Sequence, residues 1–531
     1  MLCCVGIKIF SVIVFVLARF LNELYMRMSE YIVVGAGASG CVITRRLLDS
    51  GHSVTLVEAG ELRHRDSNID HIGGFTNLWG SRADWAYKTT SQEDLNNRSI
   101  TINQGKVVGG SSALNAMMYV RCHDANYRQL EEAGGPNFSF SASRRALSRI
   151  ENYLDGPRPD RYQSGLIKVR NCPDPASYSP EFQLSAASLG LESNDWDYNG
   201  PVQANGAGPL QFNIDESGQR HSSFNAYLQP VLSSNQLTLL DQSEAKRIVL
   251  DSQGKASALE VVGADGSHHT LHADRKIILC LGALGTPLLL LRSGIGPDEV
   301  FKKSPTKQVI KLESVGQNLM DHLQLPIIYQ LKKSLPNPTL LTGNVAFLDL
   351  NSNGLDGAPD LQLNFTPAAP TPLQRFLPTL PGEVMIFLPI LVQPKSVGSI
   401  TLDGHNNPVI NPNYLSDASD VDVLLKSIDF CQQLAASEGL NALAGDPLLP
   451  PRDGWVDYIR SNVSTLWHPV GTCRIGKDPI SSVVDSNLQV HGVSDLHICD
   501  SSATPYVTAG NNHVPSLVMA ELMSDLLLGQ P

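Results

Sequence analysis

Two histidines toward the C-terminal end of the chain lie in segments suited to holding a side chain still. His468 falls in Leu466-Trp467-His468-Pro469-Val470-Gly471-Thr472, where Pro469 disfavours helical geometry at the preceding residue and keeps it extended. His513 falls in Ala509-Gly510-Asn511-Asn512-His513-Val514-Pro515, just ahead of a helical pattern. An imidazole, with a pKa of about 6.5, is matched to taking the proton of a hydroxyl at neutral pH. The chain holds 14 histidines, and most imidazoles in a protein are structural. His322, His405 and His491 have no such chemistry to offer and read as structural or solvated.

A second constellation lies near the N-terminus. Tyr31 to Val34 is a short β-branched run that ends in Gly35-Ala36-Gly37-Ala38-Ser39-Gly40. Gly35 permits the tight turn, Gly37 lets backbone approach a pyrophosphate, and Gly40 lets the following helix pack against the strand. In that helix Val42, Leu47 and Leu48 are apolar, while Arg45, Arg46 and Asp49 are polar. Gly51-His52 breaks it, and Ser53 to Val57 reads as the next strand, ending at Glu58, 18 residues beyond Gly40. Strand, glycine loop, helix, strand and acidic residue make up a dinucleotide-binding βαβ unit, with the phosphates at the helix N-terminus. A carboxylate at Glu58 accepts both adenosine-ribose hydroxyls and repels a 2′-phosphate, so FAD or NAD fits and NADP does not.

The stretch Asn103-Gln104-Gly105-Lys106-Val107-Val108-Gly109-Gly110-Ser111-Ser112-Ala113-Leu114-Asn115-Ala116-Met117-Met118-Tyr119 is a turn of small residues rich in backbone donors. It resembles the first signature of the glucose–methanol–choline oxidoreductases. Gly282-Ala283-Leu284-Gly285-Thr286-Pro287, continuing through Ser293-Gly294-Ile295-Gly296, is similar to the second. Further similar stretches are Asp84-Trp85-Ala86-Tyr87, Ser222 to Leu228, Val315 to His322 and the block from Trp467 to Leu527, so the resemblance runs from residue 29 to the end.

That resemblance implies FAD rather than NAD. It implies cofactor contacts at Gly35, Gly37, Ala38, Ser39, Gly40, Glu58, Ala59, Val108, Gly109, Ser111, Asn115, Ala116, Met117, Asp500 and Asn512, with Asp500 near the ribityl chain. It places His468 and His513 at the flavin's reactive edge, the first being the family's histidine and the second a position held by His or Asn. His468 would then take the hydroxyl proton of an alcohol while hydride passes to flavin N5, and His513 would hold the developing alkoxide. Two departures stand out. Leu114 occupies the place where some members attach FAD through a histidine, so binding is expected to be non-covalent. Cys122 stands where Gly, Ala or Pro is usual, and reads as a buried small residue rather than a reactive thiol. No metal ligand set is expected.

The elements that must position these groups follow the same plan. At 531 residues and 57.5 kDa the chain exceeds what one core supports, roughly 250–300 residues. The expected architecture is α/β and α+β: a Rossmann-type FAD-binding domain from 28–125, 205–315 and 470–531, interleaved with a substrate-binding domain from 126–204 and 316–469 built on an antiparallel sheet. Runs at 237–240, 247–250, 258–262 and 276–280 read as strands and hairpins of the first domain, and runs at 361–365 and 384–392 as strands of the second. Ser419 to Ala436 and Pro515 to Leu528 read as helices, the latter with Asn511 and Asn512 as caps.

A net charge of −12 without a basic stripe argues against nucleic acid as a partner. The expected partners are a small-molecule alcohol and an electron acceptor, either oxygen or a carrier. Nine cysteines without a CxxC pair suit a reducing compartment, and a cytoplasmic location is expected. Residues 1–27 hold an apolar stretch, Ile9 to Ala18, too short for the roughly 20 residues that span a bilayer. They read as an extension ahead of a candidate start at Met28; as a real targeting segment they would make the protein membrane-associated or secreted. Three rival readings compete with alcohol oxidation. A lyase of the hydroxynitrile type would share the histidine pair. A flavin-binding protein without turnover would not need it. A light-driven decarboxylase is disfavoured by Val392 in the place of that enzyme's cysteine.

Overall fold

The computed structural model describes residues 29–530 except 63–66, 351–354, 356 and 371–381, so the expectation for 1–27 lies outside the described residues. β1 (Ser29–Val34), α1 (Ala38–Asp49) and β2 (Val54–Val57) form the expected βαβ unit, with β1 and β2 parallel. Tyr31 to Val34 and all of β2 are buried, as befits the centre of a parallel sheet, covered on both faces. The chain then folds α2 (Asp124–Gly134) and α3 (Phe140–Ile150) and reaches β3 (Gly206–Pro209). It returns through β4 (Leu237–Leu240), β5 (Glu244–Leu250), β6 (Ala256–Val262) and β7 (His268–Leu279). β7 serves two sheets in one: residues 268–272 pair antiparallel with β6, and its buried end runs parallel to β1.

After α4 (Gly282–Arg292) come β8 (Leu323–Gln324), β9 (Ile327–Leu331), β10 (Asn344–Leu348), β11 (Leu361–Thr366) and β12 (Val384–Leu391). α5 (Ala418–Ala436), β13 (Ala444–Leu449), β14 (Ser464–Thr465), β15 (Leu496–Ile498) and α6 (His513–Leu528) complete the elements that matter for the site. The first sheet orders β5-β6-β7-β1-β2-β4, with β15 parallel to β7 on the other side; the second orders β13-β9-β12-β11-β10-β3, with β8 bridging β12 and β14. Every pairing in the second sheet is antiparallel.

Two cores follow. β11 alternates: Leu361, Leu363 and Phe365 pack with Leu424, Ile428 and Leu434 of α5, while Gln362, Asn364 and Thr366 turn to the opposite face. His322 precedes Leu323, which belongs to the α5 side, so its side chain lies on that opposite face too. The larger core unites the first sheet with α1, α4 and α6. The expected boundaries run across some of this packing. β3 pairs with β10 of the second sheet although it follows residue 205, and Leu130 of α2 and Leu147 of α3 pack in the first core although they follow residue 126.

α6 differs from expectation as well. It begins at His513, two residues before Pro515, and Val514 to Ser524 are buried on every side. Asn512 occupies the cap position, yet its side chain makes no capping bond; Asn511 instead turns its amide toward His468.

Candidate active site

The glycine loop after β1 is as tight as its sequence demands. A Cβ on Gly40 would lie 1.9 Å from the Gly35 carbonyl oxygen, so only glycine lets α1 start this close to the strand. No side chain caps α1 at Gly37, which leaves the N–H groups of its first turn, at Ala38 and Ser39, for a ligand. The serine-rich loop lies directly against this one: Gly109 N–H donates to Ala36 O at 2.7 Å, and a Cβ on Gly110 would come within 2.5 Å of Gly37 Cα. Gly35, Gly37, Ala38, Ser39, Gly40, Val108 and Gly109 are thus gathered into one backbone cradle.

Glu58 forms the wall beside it. Its Oε2 accepts from Ala36 N and its Oε1 from Gly60 N, both at 2.9 Å, with Ala59 between. Burial pushes its carboxyl up to about 7 against these hydrogen bonds. Asn115 is clamped farther along: its Oδ1 accepts from Met117 N at 3.0 Å and from the buried Arg220 guanidinium at 2.7 Å, which turns its amide N–H group outward. Ala116 lies between them, Met117 holds a left-handed backbone (φ 62°), and Ser111 is exposed at the loop's rim.

Asp500 serves mainly the protein. Its Oδ2 accepts from Gly282 N (2.9 Å) and Thr286 Oγ1 (2.6 Å) and its Oδ1 from Ser502 N (2.8 Å), tying the start of α4 to the C-terminal block. α6 meets the cradle where Ser39 Oγ donates to Ser516 O at 3.2 Å. These features fit FAD: a free helix N-terminus for the pyrophosphate, an acceptor for a ribose, and two glycine loops held in direct contact beside them.

The histidines form the second cluster. β14 pairs with β8, which hangs the segment after Thr465 beside His322. Asp321 Oδ1 accepts from His468 N at 2.8 Å, and its Oδ2 accepts from Tyr414 Oη at 2.6 Å. Trp467 is forced into the left-handed region (φ 63°), a costly conformation for a bulky residue that its N–H bond to Thr465 Oγ1 at 2.7 Å helps to hold. His468 Nδ1 lies 3.0 Å from His322 Nδ1, and its Nε2 lies 3.3 Å from Asn511 Nδ2. His513 opens α6 and places its Nε2 3.0 Å from Ser223 Oγ. Burial holds the His468 imidazole well below its ordinary pKa, reinforced by the other two histidines; burial and then Arg220 hold His513 down to about 4. Both imidazoles are therefore neutral at physiological pH, the state a proton acceptor needs.

Cys122 behaves as a buried residue. Its backbone is left-handed (φ 66°), and burial pushes its thiol up to about 12. Of the two readings open for His322, structural or solvated, burial removes the second: it is fully buried against His468. Asn511, Ser223, Arg220 and Asp321 escaped the sequence reading. The available signals were the similar stretches that hold Ser223, Asp321 and Asn511, which carried resemblance but no chemistry of their own; Arg220 lies in none of them.

Comparison with known proteins bears on this arrangement. The N- and C-terminal models of the GMC oxidoreductase family match residues 29–324 and 394–520. A GMC-type oxidoreductase of Mycobacterium tuberculosis is 32% identical, over 94% of this chain and 99% of that protein. The alcohol dehydrogenase [acceptor] of Pseudomonas putida is 31% identical, over 94% and 96%, and human mitochondrial choline dehydrogenase 30%, over 94% and 90%. Among solved structures, pyridoxine 4-oxidase from Mesorbium loti superposes with a TM-score of 0.86 at 29% identity, over 94% of this chain and 98% of that one.

Proposed function

The chain belongs to the GMC oxidoreductase family, whose cofactor is FAD and whose members act on alcohols, and from that premise we propose that His468 takes the hydroxyl proton of an alcohol while its carbon-bound hydrogen is removed as hydride. The observation that carries this reading is the bond between His468 Nδ1 and His322 Nδ1, which leaves Nε2 of a neutral imidazole facing the remaining polar groups of the cluster.

The cradle of Gly35, Gly37, Ala38, Ser39, Gly40, Val108 and Gly109 would hold the FAD pyrophosphate, and Glu58 with Ala59 the adenosine ribose. Ser111, Asn115, Ala116, Met117, Asp500 and Asn512 would line the flavin side. FAD, when bound, supplies the hydride acceptor at N5. Leu114, 4% exposed in a small apolar cluster, offers no atom for a covalent link, which supports non-covalent binding.

His468 Nε2 accepts the alcohol proton as the carbon–hydrogen bond breaks. Asn511 Nδ2 donates toward the same nitrogen in the resting site and is displaced by the substrate hydroxyl. His513, kept neutral and anchored to Ser223, hydrogen-bonds the oxygen as negative charge develops. Trp467, next to the base in sequence, packs on Trp79 with ring centroids 4.8 Å apart, which favours an alcohol with an apolar or aromatic body. Among the described residues no helix is long and apolar enough to cross a membrane.

The experiment is anaerobic mixing of the FAD-loaded protein with a panel of primary alcohols, then admission of air. Bleaching of the flavin by an alcohol is expected, and recolouring in air separates an oxidase from a dehydrogenase that needs a carrier. His468→Ala should keep FAD and lose bleaching by at least about 100-fold, the usual worth of a general base. Flavin that no alcohol bleaches would sink the proposal and leave a lyase or a scaffold.

A further inference from the structure

His322 meets the proposed base through one nitrogen, and its surroundings leave it a single protonation pattern. It is wholly buried just before β8. Its Nε2 lies 2.8 Å from Thr508 O and 3.1 Å from Val392 O. A carbonyl oxygen can only accept, so Nε2 carries a hydrogen and donates to both. In a neutral imidazole the other nitrogen is then a bare acceptor. That nitrogen, Nδ1, sits 3.0 Å from His468 Nδ1. Two lone pairs cannot face each other at that distance, so His468 Nδ1 holds the hydrogen between them. His468 Nε2 is therefore bare, which agrees with the Asn511 amide donating toward it at 3.3 Å.

The reverse arrangement would place a hydrogen on His322 Nδ1 as well as on Nε2. That is a cation with no carboxylate partner in a fully buried position, and burial pushes His322 in the opposite direction, down to about 4. The carboxylate adjacent in sequence, Asp321, is spent on Tyr414, Thr465 and the His468 backbone.

We propose that His322 is a positioning residue that sets the tautomer of His468: it anchors to the Thr508 and Val392 carbonyls, accepts the His468 Nδ1 hydrogen, and so presents a bare Nε2 to the alcohol. The inference rests on the reading of His468 as the base. When the alcohol proton arrives at Nε2, the bond to His322 spreads the new positive charge over two imidazoles. A neutral imidazole here takes the place that a carboxylate holds behind the histidine of a catalytic triad. This arrangement avoids burying a second negative charge beside the oxygen that becomes an alkoxide.

Two substitutions separate this role from simple packing. Gln at 322 places its amide nitrogen where Nε2 lies, so it still donates to the two carbonyls but offers His468 Nδ1 no acceptor. Asn at 322 places Oδ1 where Nδ1 lies, so it accepts from His468 but gives up the carbonyl bonds. With FAD content and melting temperature measured alongside, His322→Gln is expected to slow flavin reduction by up to about 10⁴-fold, the cost of a wrong tautomer in a triad. His322→Asn is expected to stay within about 10-fold of wild type. A packing role predicts the opposite order, and equal rates for the two variants, or a faster His322→Gln, overturn the proposal. Independently of turnover and of how the His322 variants fold, ¹⁵N-histidine spectra of the FAD-loaded wild type should show the His468 signal, assigned by its loss in His468→Ala, with hydrogen on Nδ1. Hydrogen on Nε2 instead overturns the proposal. If no alcohol bleaches wild-type flavin, the alcohol-oxidation reading falls, and the spectrum decides the His322 inference by itself.

Discussion

FAD affinity should fall steeply as the solution is acidified, and Glu58 is the reason. In the protein alone its carboxyl is buried at 7% exposure and lifted from an ordinary 4.5 to about 7. The proton it holds at moderately low pH blocks an oxygen that the adenosine ribose needs as an acceptor. Bound hydroxyls favour the carboxylate, so cofactor binding expels that proton. If the bound state returns Glu58 to its ordinary value, the gap corresponds to about 3.4 kcal/mol, and the FAD dissociation constant should rise about 70-fold between pH 8 and pH 5. The sign is set by linkage: the free protein takes up a proton on Glu58 between 4.5 and about 7, so it gains stability, and the complex loses it relative to the free protein, as pH falls through that window. Titration of apoprotein with FAD, followed by quenching of flavin fluorescence at pH 5, 6, 7 and 8, measures the slope. Glu58→Gln cannot ionise, so it should bind more weakly at pH 8 and show a flat profile. A wild-type slope under about 3-fold, or the same slope in Glu58→Gln, refutes the assignment of the ribose to Glu58.

Two further outcomes rest on geometry away from the histidines. Gly40→Ala must push its Cβ off the Gly35 carbonyl, 1.9 Å away, and open the turn that holds the pyrophosphate; purified protein should be folded by circular dichroism but nearly free of flavin. Glu521 is buried on α6, where Arg46 and Arg149 reach it at 2.7 and 2.8 Å. Glu521→Gln should cost about 3 kcal/mol in urea unfolding, the low end for a broken buried ion pair, because both arginines keep some contact with water.

Much of this molecule is written in short local patterns. The βαβ unit, Glu58 at its end and the glycine–serine loop are specified by residues that sit close together in the chain, where turn geometry and strand periodicity act directly. The alternation in Leu361 to Thr366 likewise shows its two faces in the letters themselves. The helix after Asn512 was legible in type but not in start, because a proline in the first turn gives up only an N–H that has no intrahelical acceptor, so the helix can begin before it. What sequence could not supply were the relations between distant segments. β3 lies near β10 in space though over a hundred residues separate them, so its sheet could not be read from position in the chain. His322 looked like one structural histidine among 14. Only the pairing of β8 with β14 brings it to His468, and only the carbonyls of Thr508 and Val392, from two other parts of the chain, dictate which of its nitrogens carries hydrogen. A residue type states what an imidazole can do; its protonation pattern depends on which oxygens surround it, and those are chosen by the tertiary fold.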